Sequence, residues 1–293
     1  MRNTDRENSD GVTGLSRRDF VGAAVGSGFA AAVLPVSAQT IKTDSNDLTV
    51  GEITVMVGDF KMPAYRAMPA AKPTSGKFPV VLVVSEIFGV HEHIADVARR
   101  FAKLGYLAIA PELFVRQGDA QSYGEISKLL AEVVNKVPDA QVMGDLDACV
   151  AWAKANGGDT AHLGITGFCW GGRITWLYAA HNPGVKAAVA WYGQLQGQPS
   201  ALKPTNPVDV VAQLKAPVLG LYGEQDNGIP LTAIDAMKTA LAATANPAAQ
   251  QSKFVVYPGA GHAFHADYRP SYQREAATDG WARCQAWLKA NGV

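Results

Sequence analysis

Six short apolar runs that do not alternate with polar residues constrain this chain more than any other feature of its sequence. They are Phe78 to Val84, Tyr106 to Ala110, His162 to Thr166, Val185 to Trp191, Pro217 to Tyr222 and Phe254 to Tyr257. A strand with one wet face alternates, whereas a strand apolar throughout has to be covered on both faces. Between the runs lie stretches with helical patterning, near 92–104, 124–135, 139–155, 171–181, 231–242 and 271–290. Strand and helix in alternation give an α/β fold, a mostly parallel central sheet with helices on both faces. Ahead of the first run, Ile53 to Val57 and Ala64 to Met68 flank Gly58-Asp59 and read as an antiparallel hairpin.

The first forty residues read differently. Ser16-Arg17-Arg18-Asp19-Phe20-Val21 places two arginines before a Gly, Ala and Val run that reaches Val33, followed by Val36-Ser37-Ala38. This is the pattern of a twin-arginine export signal cleaved after Ala38, and the run is too short and too rich in Gly and Ala for a membrane span. A basic tail or an uncleaved anchor is the competing reading of the same residues. The expectation is a leader over residues 1–38, handled by the twin-arginine export machinery, and a single periplasmic or secreted domain over 39–293, a length that suits one α/β unit. Lys+Arg number 26 and Asp+Glu 26, and the leader takes four of each sign, so the domain stays neutral. No cationic excess exists to neutralise a phosphate backbone, and a small-molecule partner fits better than nucleic acid.

Chemistry collects at the ends of the apolar runs. Gly167-Phe168-Cys169-Trp170-Gly171-Gly172 is a Gly-x-Cys-x-Gly turn between a strand and a helix. Such a turn forces its central residue into strained backbone and brings its neighbours against the sheet, which is why glycine stands two positions to either side. It also places Cys169 at a helix N-terminus, where free N–H groups favour thiolate; a buried inert cysteine is the bland alternative. A nucleophile on such a turn needs an acid and a histidine later in the chain. Asp226 follows the Pro217 to Tyr222 run and His262 follows Phe254 to Tyr257. Ligands of open α/β sheets bind beyond the carboxyl ends of the strands, so three distant residues can meet there. Taken singly, Asp226 reads equally well as a turn or cap and His262 as a loop residue, and Glu224 competes with Asp226. Glu86, after Val80 to Val84, brings another carboxylate to the same edge, as a partner for the thiol or as a cap for the next helix.

Taken together, Ser85-Glu86-Ile87-Phe88-Gly89, Gly167 to Gly172, Gly223 to Asp226 and Gly261-His262-Ala263-Phe264 resemble the motifs of the dienelactone hydrolase (carboxymethylenebutenolidase) family of the α/β-hydrolase superfamily. The resemblance spans nearly all of residues 39–293. It implies the α/β-hydrolase fold, Cys169 as nucleophile, His262 as base, Asp226 rather than Glu224 as its orienter, and Glu86 as partner of the resting thiol. By the same resemblance the backbone N–H groups of Ile87 and Trp170 form the oxyanion hole, while Phe88, Tyr192, Arg116 and Phe264 line the pocket. There are departures. Family members acting on an acidic dienelactone hold its carboxylate with arginines, one a few residues after the histidine; here Ala263 to Asp267 contain none and the next is Arg269. The loop bearing the other arginine is shortened around Gln117 to Gly124, and these departures leave open whether the substrate is anionic.

The function expected is hydrolysis of a carboxylic ester or lactone through a Cys169 thioester, with no cofactor. A general carboxylesterase or thioesterase of other acyl specificity is the near alternative, and a non-catalytic binding module on the same fold the distant one. Thiolate leaves more readily than alkoxide, so enol esters and unsaturated lactones should outrun plain alkyl esters. His91-Glu92-His93, even with His262 and His265, lacks metal-ligand spacing, since residues two apart do not share a helix face, and no metal is expected. Cys149 and Cys284 sit among apolar residues on helical stretches and read as buried thiols, with a disulfide as the alternative.

Overall fold

Eight strands realise the apolar runs and the hairpin: β1 (Leu48–Val57), β2 (Phe60–Pro69), β3 (Phe78–Val84), β4 (Leu107–Pro111), β5 (Gly158–Phe168), β6 (Val185–Trp191), β7 (Val218–Gly223) and β8 (Lys253–Tyr257). The structure, a computed structural model, describes residues 40–74 and 76–293; the leader read over residues 1–38 lies outside the described residues. The strands form one sheet in the order β1-β2-β4-β3-β5-β6-β7-β8. β1, β2 and β4 pair antiparallel and every other pair is parallel. Val80 to Val84 of β3 have no exposed surface, as a strand apolar at every position requires.

Among the described residues seven helices supply the cover: α1 (Glu92–Lys103), α2 (Ile126–Glu132), α3 (Asp139–Ala155), α4 (Trp170–His181), α5 (Leu231–Ala243), α6 (Pro247–Gln251) and α7 (Arg274–Ala290). β5 shows that they lie on both faces. A side chain at Gly164 would meet Leu288 of α7, and one at Gly167, three positions on and therefore on the opposite face, would meet Thr175 of α4. The first layer is joined by Phe101 of α1 and Trp281 of α7, their ring centres 4.7 Å apart. The second is joined by Arg173 of α4, whose guanidinium donates to both carboxylate oxygens of Asp139 on α3 at 2.7 and 2.8 Å. No helix among the described residues is long and apolar enough to cross a membrane.

Several boundaries differ from the sequence reading. The hairpin is longer than expected, with register from Leu48 opposite Pro69 to Val57 opposite Phe60. β5 begins at Gly158 rather than His162 because Phe78 and Pro79 pair with Gly158 and Asp159 before the register jumps to Leu163 at Val80. The helix read over 124–135 is only α2, since Val133 leaves helical geometry, with φ −121° and ψ −70°, and a tight turn over Val134–Lys136 follows. α6 was not anticipated, although Asn246-Pro247 carries its signal: Asn246 Oδ1 accepts from the Ala248 amide at 2.8 Å and proline takes the first helical position. Cys149 and Cys284 are free and buried, and burial pushes the Cys284 thiol up to about 12.

Residues 40–47 run back across α1 toward the loop between β8 and α7. The Ile41 amide donates to Asp267 Oδ2 at 3.3 Å, and Arg99 Nε donates to the Thr43 carbonyl at 2.9 Å. The chain ahead of β1 is thus tied to a loop more than two hundred residues later.

Candidate active site

Five neighbouring strands deliver one group each to the same edge of the sheet: Glu86 after β3, Cys169 after β5, Tyr192 after β6, Asp226 after β7 and His262 after β8. Parallel strands carry all their carboxyl ends on one side, so the convergence follows from topology. Cys169 has φ 55° and ψ −113°, in the region where a side chain is strained. The turn is held because the Cys169 amide donates to the Trp191 carbonyl at 3.0 Å, while the Cys169 carbonyl accepts from Gly172 at 3.0 Å and starts α4. A Cβ on Gly167 would strike the Gly171 carbonyl, and one on Gly171 would strike the carbonyls of Val84 and Ser85. These two glycines let α4 approach the sheet closely enough to present the sulfur.

His262 donates from Nδ1 to Asp226 Oδ2 at 2.7 Å. Asp226 is buried, and its Oδ1 accepts from the Gly228 amide at 2.9 Å. Glu224, the competing carboxylate, is exposed and accepts from the Gly259 amide, so the histidine bonds to Asp226. Burial alone would lower the His262 pKa; the neighbouring Asp226 and Cys169 outweigh it and lift the value to about 10. Carboxylate, imidazole and sulfur thus stand along four neighbouring strand ends, and the bond to Asp226 fixes the ring.

Packing holds that line in place. Ala263 takes φ 61° directly after His262, and Phe264 is buried against Trp191, Tyr192 and Tyr257 with centroid separations of 5.0 to 6.1 Å. Tyr192, at φ 36°, sets its ring 5.2 Å from that of His262. Its hydroxyl is buried without a hydrogen bond, and burial holds its pKa well above the usual range. Trp170 opens α4, where amides have no partner inside the helix, and its ring lies 4.7 Å from Phe114. Ile87 and Phe88 follow Glu86; Phe88 is buried, with the Arg269 guanidinium 5.7 Å over its ring.

Two residues named from the sequence have partners that the sequence reading did not name. Arg116 spends its guanidinium on both oxygens of Asp145, at 2.7 and 2.8 Å, and lies 4.0 Å over the Phe60 ring. Glu86 hydrogen-bonds to His91, whose Nε2 donates to Oε2 at 3.1 Å with both side chains buried. Burial would raise the Glu86 pKa; His91 and His93 bring it down to about 2. His91, His93, Asp267 and Tyr268 are the neighbours the sequence reading passed over. The only trace of them was the His-x-His spacing set aside as a poor metal site.

Comparison with known proteins fits this geometry. The model of the dienelactone hydrolase family matches residues 62–292. A protein of Methylorubrum extorquens, provisionally named a carboxymethylenebutenolidase, is 63% identical over 283 residues, covering 96% of this chain and 95% of its own. One of Escherichia coli K12 with the same provisional name is 53% identical over 266 residues, 91% of this chain and 96% of its own. The crystal structure of a provisionally named dienelactone hydrolase from Klebsiella pneumoniae superposes with a TM-score of 0.79 at 55% identity, covering 83% of this chain and 98% of that one. The chain belongs to the dienelactone hydrolase family and is, by class, a carboxylic ester hydrolase of the carboxymethylenebutenolidase-like kind.

Proposed function

We propose that the protein cleaves an activated carboxylic ester or unsaturated lactone through a thioester on Cys169. The observation that carries this reading is the 2.7 Å bond that fixes His262 on Asp226, one strand end away from that of Tyr192 and two from that of Cys169. With the thiol proton on His262, the sulfur attacks the carbonyl carbon, the C–S bond forms and the carbonyl electron pair moves to oxygen. The amides of Ile87 and Trp170 are the donors for that oxyanion, acting on charge that develops only in the transition state. Collapse expels the ester oxygen, which takes the proton from His262. Water, deprotonated by the same imidazole, then attacks the thioester and returns the thiolate. Because thiolate leaves more readily than alkoxide, the forward collapse favours substrates whose leaving oxygen is stabilised. The Cys169→Ala variant should lose turnover of a dienelactone and of a p-nitrophenyl ester by about three orders of magnitude or more. Wild type should cleave both faster than an ethyl ester; an ethyl ester cleaved faster, or full activity without the thiol, sinks the reading.

Arg269 supports a specificity for acidic acyl groups. It lies over Phe88 and acts electrostatically on Tyr192 and Tyr268, the two hydroxyls that also feel Cys169. Arg269→Ala should raise KM for an anionic ester about tenfold and leave a neutral ester of the same leaving group unchanged. For location, the proposal is export through the twin-arginine leader. The M. extorquens match covers 96% of the chain and so extends into that leader. Replacing Arg17 and Arg18 by lysine should keep the protein in the cytoplasm, read by fractionation.

A further inference from the structure

Residues 85–91 join β3 to α1 and carry Ile87 and Phe88 to the edge of the sheet. The Ile87 amide meets no acceptor among the described residues, as a donor kept for an oxyanion must. A turn whose amide is left open is not held by that amide, so its direction has to be fixed from outside. The bond between His91 and Glu86 closes within the same segment; it shapes the turn without fastening it to the neighbouring strand.

The outside hold comes from β4, which pairs with β3 in parallel, so the loop leaving its end runs beside residues 85–91. Glu112 opens that loop and is fastened to β2, its amide donating to the Pro63 carbonyl at 3.0 Å. Its Oε1 accepts from the Val90 amide at 3.2 Å. Its Oε2 packs on Gly89 so closely that a Cβ there would stand 2.8 Å away, and Gly89 takes φ 72°, which glycine adopts without strain. Further along the loop, Gln121 donates from Nε2 to the Val90 carbonyl at 3.2 Å. Gln121 sits in a tight turn, Ala120–Ser122, capped by Asp119, whose Oδ1 accepts from the Gln121 amide at 2.9 Å. Val90 is thus gripped by both of its backbone polar groups. Burial lifts the Glu112 carboxyl to about 7, against the pull of the Val90 amide and with Asp119 and Glu52 adding to the rise.

Resting on the thioester reading above, we propose that Glu112 and Gln121 are positioning residues: the loop after β4 holds Val90 by amide and carbonyl, and so aims the Ile87 amide at the oxyanion. The grip lies three residues from the donor it directs, with the Gly89 turn between them. Such donors work by standing ready where charge develops, and a misplacement of about 1 Å can cost about a hundredfold in rate. Neither side chain touches substrate; each acts through the backbone of Val90.

The test is hydrolysis of p-nitrophenyl acetate by the full chain. Glu112→Leu removes the acceptor at similar volume, and Gln121→Leu removes the donor on the other side of Val90. Each should lower kcat about 10- to 100-fold with KM nearly unchanged. Glu112→Gln keeps an acceptor oxygen and matches the neutral form that the carboxyl already populates near pH 7, so it should restore kcat. A trifluoromethyl ketone adds to the thiol and places an oxyanion where the donors point; its inhibition should weaken in parallel with kcat. Iodoacetamide alkylation of Cys169 at one fixed pH develops no oxyanion and should keep its wild-type rate in both leucine variants. Wild-type kcat in either leucine variant overturns the proposal. So does a Glu112→Gln enzyme as slow as Glu112→Leu, or a fall in kcat matched by alkylation and not by ketone inhibition. Should Glu112→Leu fail to fold, Gln121→Leu decides. Ester turnover by Cys169→Ala would instead overturn the thioester reading, and that variant alone tells the two failures apart.

Discussion

Cys169 occupies a backbone conformation that costs about 1–3 kcal/mol for a residue with a side chain. Glycine adopts φ 55°, ψ −113° freely, since it is the mirror image of extended backbone. Cys169→Gly should therefore raise unfolding stability by about 1 kcal/mol in urea while abolishing turnover; a loss of stability would show that the strain is relaxed elsewhere. His262 makes a second residue-level prediction. Its folded pKa, about 10, lies above the ordinary 6.5, so its contribution to stability is complete below about pH 6.5 and is lost as pH rises through 10. With its side chain 37% exposed, that contribution is screened and modest. Urea midpoints should fall between pH 7 and 10.5 in wild type and fall less in Asp226→Asn. At this scale glycine spacing and strand ends made it legible that Cys169, Asp226 and His262 reach one sheet edge, while only the family resemblance set Asp226 apart from Glu224. His91, His93 and Asp267 were not, because Asp267 meets His93 across 174 residues and no local pattern marks such a pair.

The elements were easiest to read where burial is complete on both faces. β3, β6 and β7 follow their apolar runs closely, with Lys186 of β6 the one exposed charge among them. Pairing rather than composition decides the others: β1 and β2 extend each other into a hairpin of two ten-residue strands, and Phe78 draws Gly158 into β5. The seam between α3 and α4 was invisible in sequence, because Arg173 and Asp139 are 34 residues apart with unremarkable neighbours. Both are buried, and Arg173 also donates to the Thr205 carbonyl at 2.8 Å. Removing one charge of such a pair leaves the other uncompensated, at a cost of about 3 kcal/mol. Asp139→Asn should lower stability by that amount in urea with kcat unchanged; a fall in kcat at full occupancy of the folded state would mean that α4 shifts and carries Cys169 with it.

Over the whole molecule, Asp267 joins parts that the sheet keeps apart. It accepts from Ile41 ahead of β1, from His93 and Arg100 on α1, and it sits five residues after His262. Its bonds to His93 and Arg100 overcome burial and bring its pKa to about 2, below the ordinary 3.8. That contribution is present above about pH 4 and is lost as pH falls toward 2, so the acid limb of the stability curve should flatten in Asp267→Asn, which should also cost about 3 kcal/mol at pH 7.

These ties also order events in time. The loop carrying His262 is made late in synthesis, and its anchor at Asp267 needs Ile41 and α1, made more than 160 residues earlier. Contacts between such distant segments are slow to form. Until they close, the chain holds a cysteine with no base beside it. On the thioester reading, the sulfur acquires its base only once that loop has docked.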